Sequence, residues 1–257
     1  MKIEGSVVLI TGASRGIGAA AAAEFARAGA KLSLTARDSE ALGKVAPADA
    51  LITAGDITKE AVREQIVART LHRFGTIDIL INNAGAGLYG PSWKAGMGDI
   101  RWLMELNFFA PVAMVQQVVP HMRAQRTGMI VNVGSIAGKI PLPWMSLYST
   151  SKYALGAWTE SLRMELKRDG IHTMIVCPGY VTTEFQNNAR GGRVPEKVVR
   201  GRRLAITAEQ CAKAIRRGVE RNARTVLTPA GGWLLVAAMR SFPGFVEARL
   251  AGMIQSE

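Results

Sequence analysis

An apolar run, Val7-Val8-Leu9-Ile10, enters the segment Thr11-Gly12-Ala13-Ser14-Arg15-Gly16-Ile17-Gly18 and continues into an alanine-rich stretch that ends at Gly29. A short apolar run closed by a glycine turn and followed by helix-forming residues predicts a βα unit. Lys31 to Thr35 supplies the next strand, so the βαβ segment has the roughly thirty residues of a dinucleotide-binding unit. Gly12, Gly16 and Gly18 are spaced G-x-x-x-G-x-G, not the more usual G-x-G-x-x-G. The physical demands are the same: a tight turn, backbone able to approach a pyrophosphate, and free helix N–H groups facing negative charge. A plain turn with close helix packing would also use these glycines, but their place between strand and helix favours a ligand.

The alternation continues. Strands are expected at 50–53, 77–81, 129–133, 171–176 and 225–227, with helices at 59–74, 146–168 and 207–221. Residues 99–125 read as mainly helical, with Pro111 and Pro120 expected to start, kink or end segments within them. This order predicts an α/β protein: a single-domain Rossmann fold, its doubly wound and mostly parallel sheet covered by helices on both faces. Ligands then belong at the carboxyl ends of the strands. The 257 residues, 48% hydrophobic and 20% charged, suit one domain with a sizeable core.

Several function classes are disfavoured. Cys177 and Cys211 belong to no Cys-x-x-Cys motif, and His72, His121 and His172 are scattered, so no disulfide framework, metal site or Ser/His/Asp triad is expected. Met1-Lys2-Ile3-Glu4-Gly5 leaves no room for a signal peptide before the first strand, which points to the cytoplasm. The formal charge of +12 attracts anionic partners, yet no nucleic-acid reader motif accompanies it and no nucleic acid is expected.

Tyr148 and Lys152 stand four residues apart, thirteen residues after Ser135. On a helix such a pair shares a face, with Cβ atoms about 5–6 Å apart. A nearby ammonium favours phenolate, so Lys152 is expected to lower the pKa of Tyr148 and make it a tuned general acid/base. A chance helical pair with a snorkelling lysine is the competing explanation.

Taken in order, Thr11 to Gly18, Asn82-Asn83-Ala84-Gly85, Asn107, Ser135, Tyr148, Lys152 and Pro178-Gly179-Tyr180-Val181-Thr182-Thr183 resemble the classical short-chain dehydrogenase/reductase family over roughly residues 5 to 230. The resemblance implies a nicotinamide-dependent oxidoreductase acting on a carbonyl or secondary alcohol. Ser135 and Tyr148 would bind the substrate oxygen, Lys152 would also hold the nicotinamide ribose, and Asn107 would support a proton-relay water. It also implies a nucleotide site formed by Gly12, Ser14, Arg15, Gly16, Ile17, Gly18, Asp56, Ile57, Asn83, Ala84, Gly85, Tyr148, Lys152, Pro178, Gly179, Val181 and Thr183. Asp56 and Thr183 also read as helix caps, Asn83 to Gly85 as a strand-end turn, and Asn107 as a buried hydrogen-bonded residue.

An NAD enzyme commonly places an acid just after the second strand, but Ala36 and Arg37 occupy that turn. Arg37 and Arg15 can clasp a 2′-phosphate, which favours NADP(H) over NAD(H). Asp38 argues the other way, although it also suits a cap for a helix beginning near Ser39.

The substrate is expected to be a lipophilic or acyl-type ketone, because residues 140–145 and much of 229–257 are apolar. Those surfaces serve equally as core, subunit contact or peripheral membrane contact. The basic stretch from Arg190 to Arg203, within a substrate-covering segment near 184–206, fits either a solvated face or recognition of an anionic group such as an acyl-carrier or CoA thioester. A noncatalytic NADP-binding sensor is the alternative function. By resemblance the protein forms a homodimer or homotetramer, with residues 99–125 and 146–168 as candidate contacts.

Overall fold

The computed structural model describes residues 1–192 and 205–252. Its first half contains β1 (Val7–Thr11), α1 (Gly16–Arg27), β2 (Lys31–Ala36), α2 (Ser39–Val45), β3 (Leu51–Ala54), α3 (Glu60–Phe74), β4 (Ile79–Asn82) and β5 (Leu88–Tyr89). Next come α4 (Met97–Met104), α5 (Ala110–Gln125), β6 (Gly128–Val133), α6 (Ser146–Glu165), β7 (Ile171–Pro178), β8 (Val181–Thr182) and β9 (Arg190–Gly191). They are followed by β10 (Ile206–Thr207), α7 (Ala208–Glu220), β11 (Thr225–Thr228), α8 (Gly232–Ser241) and α9 (Pro243–Ala251).

Seven strands form a parallel sheet in the order β11-β7-β6-β4-β1-β2-β3. Strand periodicity explains how the apolar runs serve two cores at once. Val8 and Ile10 of β1 enter a cluster with Phe25 of α1 and Ile215 of α7, whereas Leu9 points to the opposite face, against Ile66 of α3 and Met114 of α5. Ile79 and Ile81 divide from Leu80 in the same way. A third cluster under α8 and α9 contains Ile175, Cys177, Leu227, Val236, Met239 and Val246. Strand order reverses between β4 and β1, and the crevice opens there at the strands' carboxyl ends.

Both prolines of the long helical region are accommodated without ending it. Pro111 lies in the first turn of α5 and offers no N–H to the Asn107 carbonyl, and the preceding residues Glu105–Phe109 widen into a π-helix. Pro120 sits inside α5. Both it and Gln116, whose carbonyl loses its helical donor, are exposed, so water can satisfy that carbonyl. Asp38 caps α2, its carboxylate accepting from the Ala41 N–H at 3.0 Å. Among the described residues no helix is long and apolar enough to cross a membrane.

Candidate active site

The glycine loop is built by close approach. Gly12 has φ +66°, and an added Cβ would lie 2.8 Å from the Ala84 Cα. A Cβ on Gly18 would come within 2.2 Å of the Gly12 carbonyl oxygen and 2.5 Å of the Asn83 Nδ2. That amide donates to the carbonyls of Thr11 and Gly12, both at 3.0 Å, while the N–H groups of Asn83 and Ala84 donate to the Thr11 hydroxyl. The ends of β1 and β4 are thereby tied together. Arg15 at the N-cap of α1 makes no side-chain cap, and no acid lies in the first turn. The first N–H groups of α1 lack helical partners, and with the positive end of the helix dipole they suit an anion such as a pyrophosphate.

Ser135 follows β6, and Tyr148 and Lys152 lie on the first turns of α6. Tyr148 is 7% exposed and Lys152 5%. The Ser135 Oγ accepts from the Ala137 N–H at 3.1 Å, and the Tyr148 ring meets the Phe185 ring edge-on at 5.8 Å. Lys152 Nζ donates to the Val133 carbonyl at 3.0 Å and lies 5.9 Å from the centre of the Tyr148 ring.

This geometry corrects the expected electrostatics. Burial pushes the Tyr148 phenol up to about 12, opposed by its hydrogen bond with Ser135 and assisted slightly by Cys177. Lys152 is not the dominant influence on the phenol; its own ammonium is lowered to about 8 by burial. Near neutral pH the pair is therefore a neutral phenol beside an ammonium that still carries most of its charge. The phenol is in the form that can give a proton.

Asn107 is fully buried in the π-helical segment. Its Oδ1 accepts from the Ala86 N–H at 2.9 Å, and its Nδ2 donates to the Ala86 carbonyl at 2.9 Å and the Ser151 Oγ at 3.0 Å. A Cβ on Gly85 would lie 3.1 Å from the Asn107 Oδ1 and 3.4 Å from the Lys152 Nζ, so both polar groups flank one glycine.

Every predicted site residue except Gly18 and Asn107 lines one cavity of about 650 Å³. Those two stand behind its wall. At the nucleotide end, Arg15 and Arg37 both contribute, as does Asp38. Arg15 approaches Glu184 at 3.5 Å across exposed surface, a weak tie, while Arg37 has no ion-pair partner among the described residues. Asp56 closes a local turn, accepting from the N–H and hydroxyl of Thr58, while Lys59 occupies the N-cap of α3. Thr183 both lines the cavity and caps the short helix that follows it, accepting from the Phe185 N–H.

The opposite wall contains residues that the motifs did not identify individually: Tyr89, Trp102, Leu106, Phe185, Leu235 and Leu250. Tyr89 is buried, and its phenol is pushed above the ordinary tyrosine range by burial and by the neighbouring Tyr148 and Tyr180. Parallel pairing of Leu88 with Arg190 and of Tyr89 with Gly191 attaches the covering segment to this wall. Arg190 also stacks on Trp102 at 3.9 Å and pairs with Asp99 at 2.8 Å, so it is engaged rather than part of a solvated basic face. Arg193, Lys197, Arg200, Arg202 and Arg203, the rest of the predicted basic stretch, lie outside the described residues. Cys177 and Cys211 are buried free thiols, and no cluster suited to a metal exists among the described residues.

Comparisons with known proteins agree with this geometry. The short chain dehydrogenase family model matches residues 6–193. Dehydrogenase/reductase SDR family member 7B of Danio rerio is 36% identical over 219 residues, covering 80% of this chain and 71% of that protein. A short chain dehydrogenase/reductase from Burkholderia phymatum, solved in complex with NAD, superposes with a TM-score of 0.87 at 26% identity, covering 95% of this chain and 96% of the other. A short chain dehydrogenase from Burkholderia cenocepacia in complex with NADP gives 0.80 at 30% identity, with 97% and 99% coverage. With its glycine loop, Rossmann sheet and Ser/Tyr/Lys cluster, the chain belongs to the short-chain dehydrogenase/reductase family of oxidoreductases.

Proposed function

We propose that the protein reduces a bulky lipophilic ketone, using NADP(H) in preference to NAD(H). The observation that carries this reading is a buried Tyr148 phenol beside Ser135 in a cavity whose outer wall is apolar. The bound nicotinamide would supply the hydride. As the carbonyl oxygen gains negative charge, Ser135 donates a hydrogen bond to it and Tyr148 gives it a proton. An alkoxide is far more basic than a phenolate, so this transfer is downhill even from a phenol near 12. Lys152 would hold the ribose hydroxyls of the bound nucleotide, and Asn107 acts as a positioning residue by fixing Ala86 and Ser151. In alcohol oxidation the proton moves in the reverse direction.

Nucleotide preference rests on Arg15 and Arg37 at the cavity edge and on the use of the Asp38 carboxylate as the α2 cap. One charge-assisted contact is worth about 1.5–3 kcal/mol, so Arg37→Asp should lower NADPH affinity roughly 10- to 150-fold while sparing NADH. Equilibrium titration with both nucleotides measures this. An unchanged preference removes the assignment, and failure to consume NADPH with any member of a lipophilic ketone panel removes the reductase reading.

We further infer a cytoplasmic homodimer or homotetramer, supported by exposed Tyr153 and Met164 on α6, by exposed Phe109 just before α5 and by two free thiols.

A further inference from the structure

We propose that the α8–α9 hairpin docks this protein onto an anionic lipid bilayer. The hairpin has two apolar sides. Val236, Met239 and Val246 face inward and complete the third core cluster, and Leu235 and Leu250 line the active-site cavity. Five large apolar side chains nevertheless remain exposed: Trp233 at 44%, Leu234 at 78%, Leu235 at 39%, Phe242 at 68% and Phe245 at 78%. Phe242 alone separates the two helices, so the corner of the hairpin is itself apolar. Single exposed apolar residues are ordinary, but a group of this size on one short hairpin is a candidate interaction surface.

Charge selects the occupant. Arg240 and Arg249 are exposed on the same two helices, against one acid, Glu247, and the chain as a whole carries +12. An anionic bilayer is attracted by that positive charge, whereas a self-contact at this face would gain nothing from it. Arginine side chains can lay their stems along the apolar surface and keep their guanidinium groups among lipid headgroups, with tryptophan and phenylalanine at the acyl boundary. Helices of ten and nine residues span only about 15 Å each, half the bilayer core, so the hairpin lies in the interface and does not cross it.

Because the hairpin is also a wall of the cavity, docking would hold that wall at the membrane surface, where lipophilic ketones concentrate. This delivery role rests on the reductase reading; the docking itself does not.

Flotation of the full chain with vesicles of phosphatidylcholine alone, and of phosphatidylcholine mixed with phosphatidylserine, tests the proposal at low and high salt. Wild type should float with the mixed vesicles, bind the neutral ones more weakly, and lose binding as salt rises. Leu234→Glu/Phe245→Glu should lower the partition coefficient at least about tenfold, with nucleotide affinity retained. Leu234→Ser/Phe242→Ser is a milder pair that should weaken binding in the same direction if the first variant folds poorly. Failure of wild type to bind mixed vesicles, or full binding by both folded variants, overturns the proposal. So does loss of an oligomer in sedimentation velocity without any vesicle binding, which would assign the surface to a second copy. Vesicle binding by a chain that turns over no ketone supports docking while removing the catalytic reading.

Discussion

Tyr148→Phe should separate chemistry from folding. The substitution removes one hydroxyl and keeps the buried ring, including its edge-on contact with Phe185 at 5.8 Å. Ser135 loses the phenol as a partner but still accepts the Ala137 N–H, so no orphaned polar atom is created. The stability cost should then be at most about 1 kcal/mol, or about 2–4 °C in Tm for a chain of this length. Catalysis should suffer far more. A positioned general acid contributes about 10²–10⁴-fold, equivalent to roughly 2.7–5.5 kcal/mol in the barrier. Stopped-flow NADPH oxidation with a ketone that the wild type accepts measures the step, and fluorescence titration measures nucleotide affinity. The expected result is kcat reduced at least about a hundredfold, with nucleotide affinity and Tm nearly unchanged. Turnover within about tenfold of wild type would refute Tyr148 as the proton donor. An equal loss of stability and turnover would refute the claim that the hydroxyl serves chemistry rather than packing.

The Lys152 ammonium, lowered to about 8, is charged below that pH and neutral above it, whereas Tyr148 near 12 stays protonated through ordinary assay conditions. kcat/KM for NADPH should therefore fall as pH rises through about 8, and Lys152→Arg should move that limb upward because guanidinium stays charged. The same limb persisting in the arginine variant would exclude Lys152 as its source. Gly18→Ala forces a methyl to within 2.2 Å of the Gly12 carbonyl and 2.5 Å of the Asn83 amide, so it should weaken NADPH binding at least about tenfold by displacing the loop. Isothermal titration checks it, and wild-type affinity in a folded variant would remove the close-packed loop as a determinant of binding.

Much of the scaffold was legible because its signals are local. Val7 to Ile10, the glycines at 12, 16 and 18, and the apolar alternation of β4, β6 and β7 describe residues that contact near neighbours or repeat with a fixed period. Tyr148 and Lys152 were legible for the same reason, since four residues make one helical turn. The cavity's outer wall was not. Tyr89, Trp102, Phe185, Leu235 and Leu250 are ordinary apolar residues whose shared role depends on segments far apart in the chain. Arg190 read as one member of a basic run until its pairing with Asp99, 91 positions away, distinguished it.

The amino-acid order by itself determined the βα alternation, the glycine turn after β1 and the helical pairing of Tyr148 with Lys152, because those depend on torsional preference, periodicity and residue spacing. Tertiary structure decided the surroundings of the Tyr148 phenol. The sequence pattern predicts an ammonium acting on a phenol; folding aims Lys152 at the Val133 carbonyl and buries Tyr148, so desolvation outweighs the expected attraction. It also divided the apolar carboxyl-terminal segment into a cavity wall and an exposed hairpin face, a division that depends on which side of each helix meets the core.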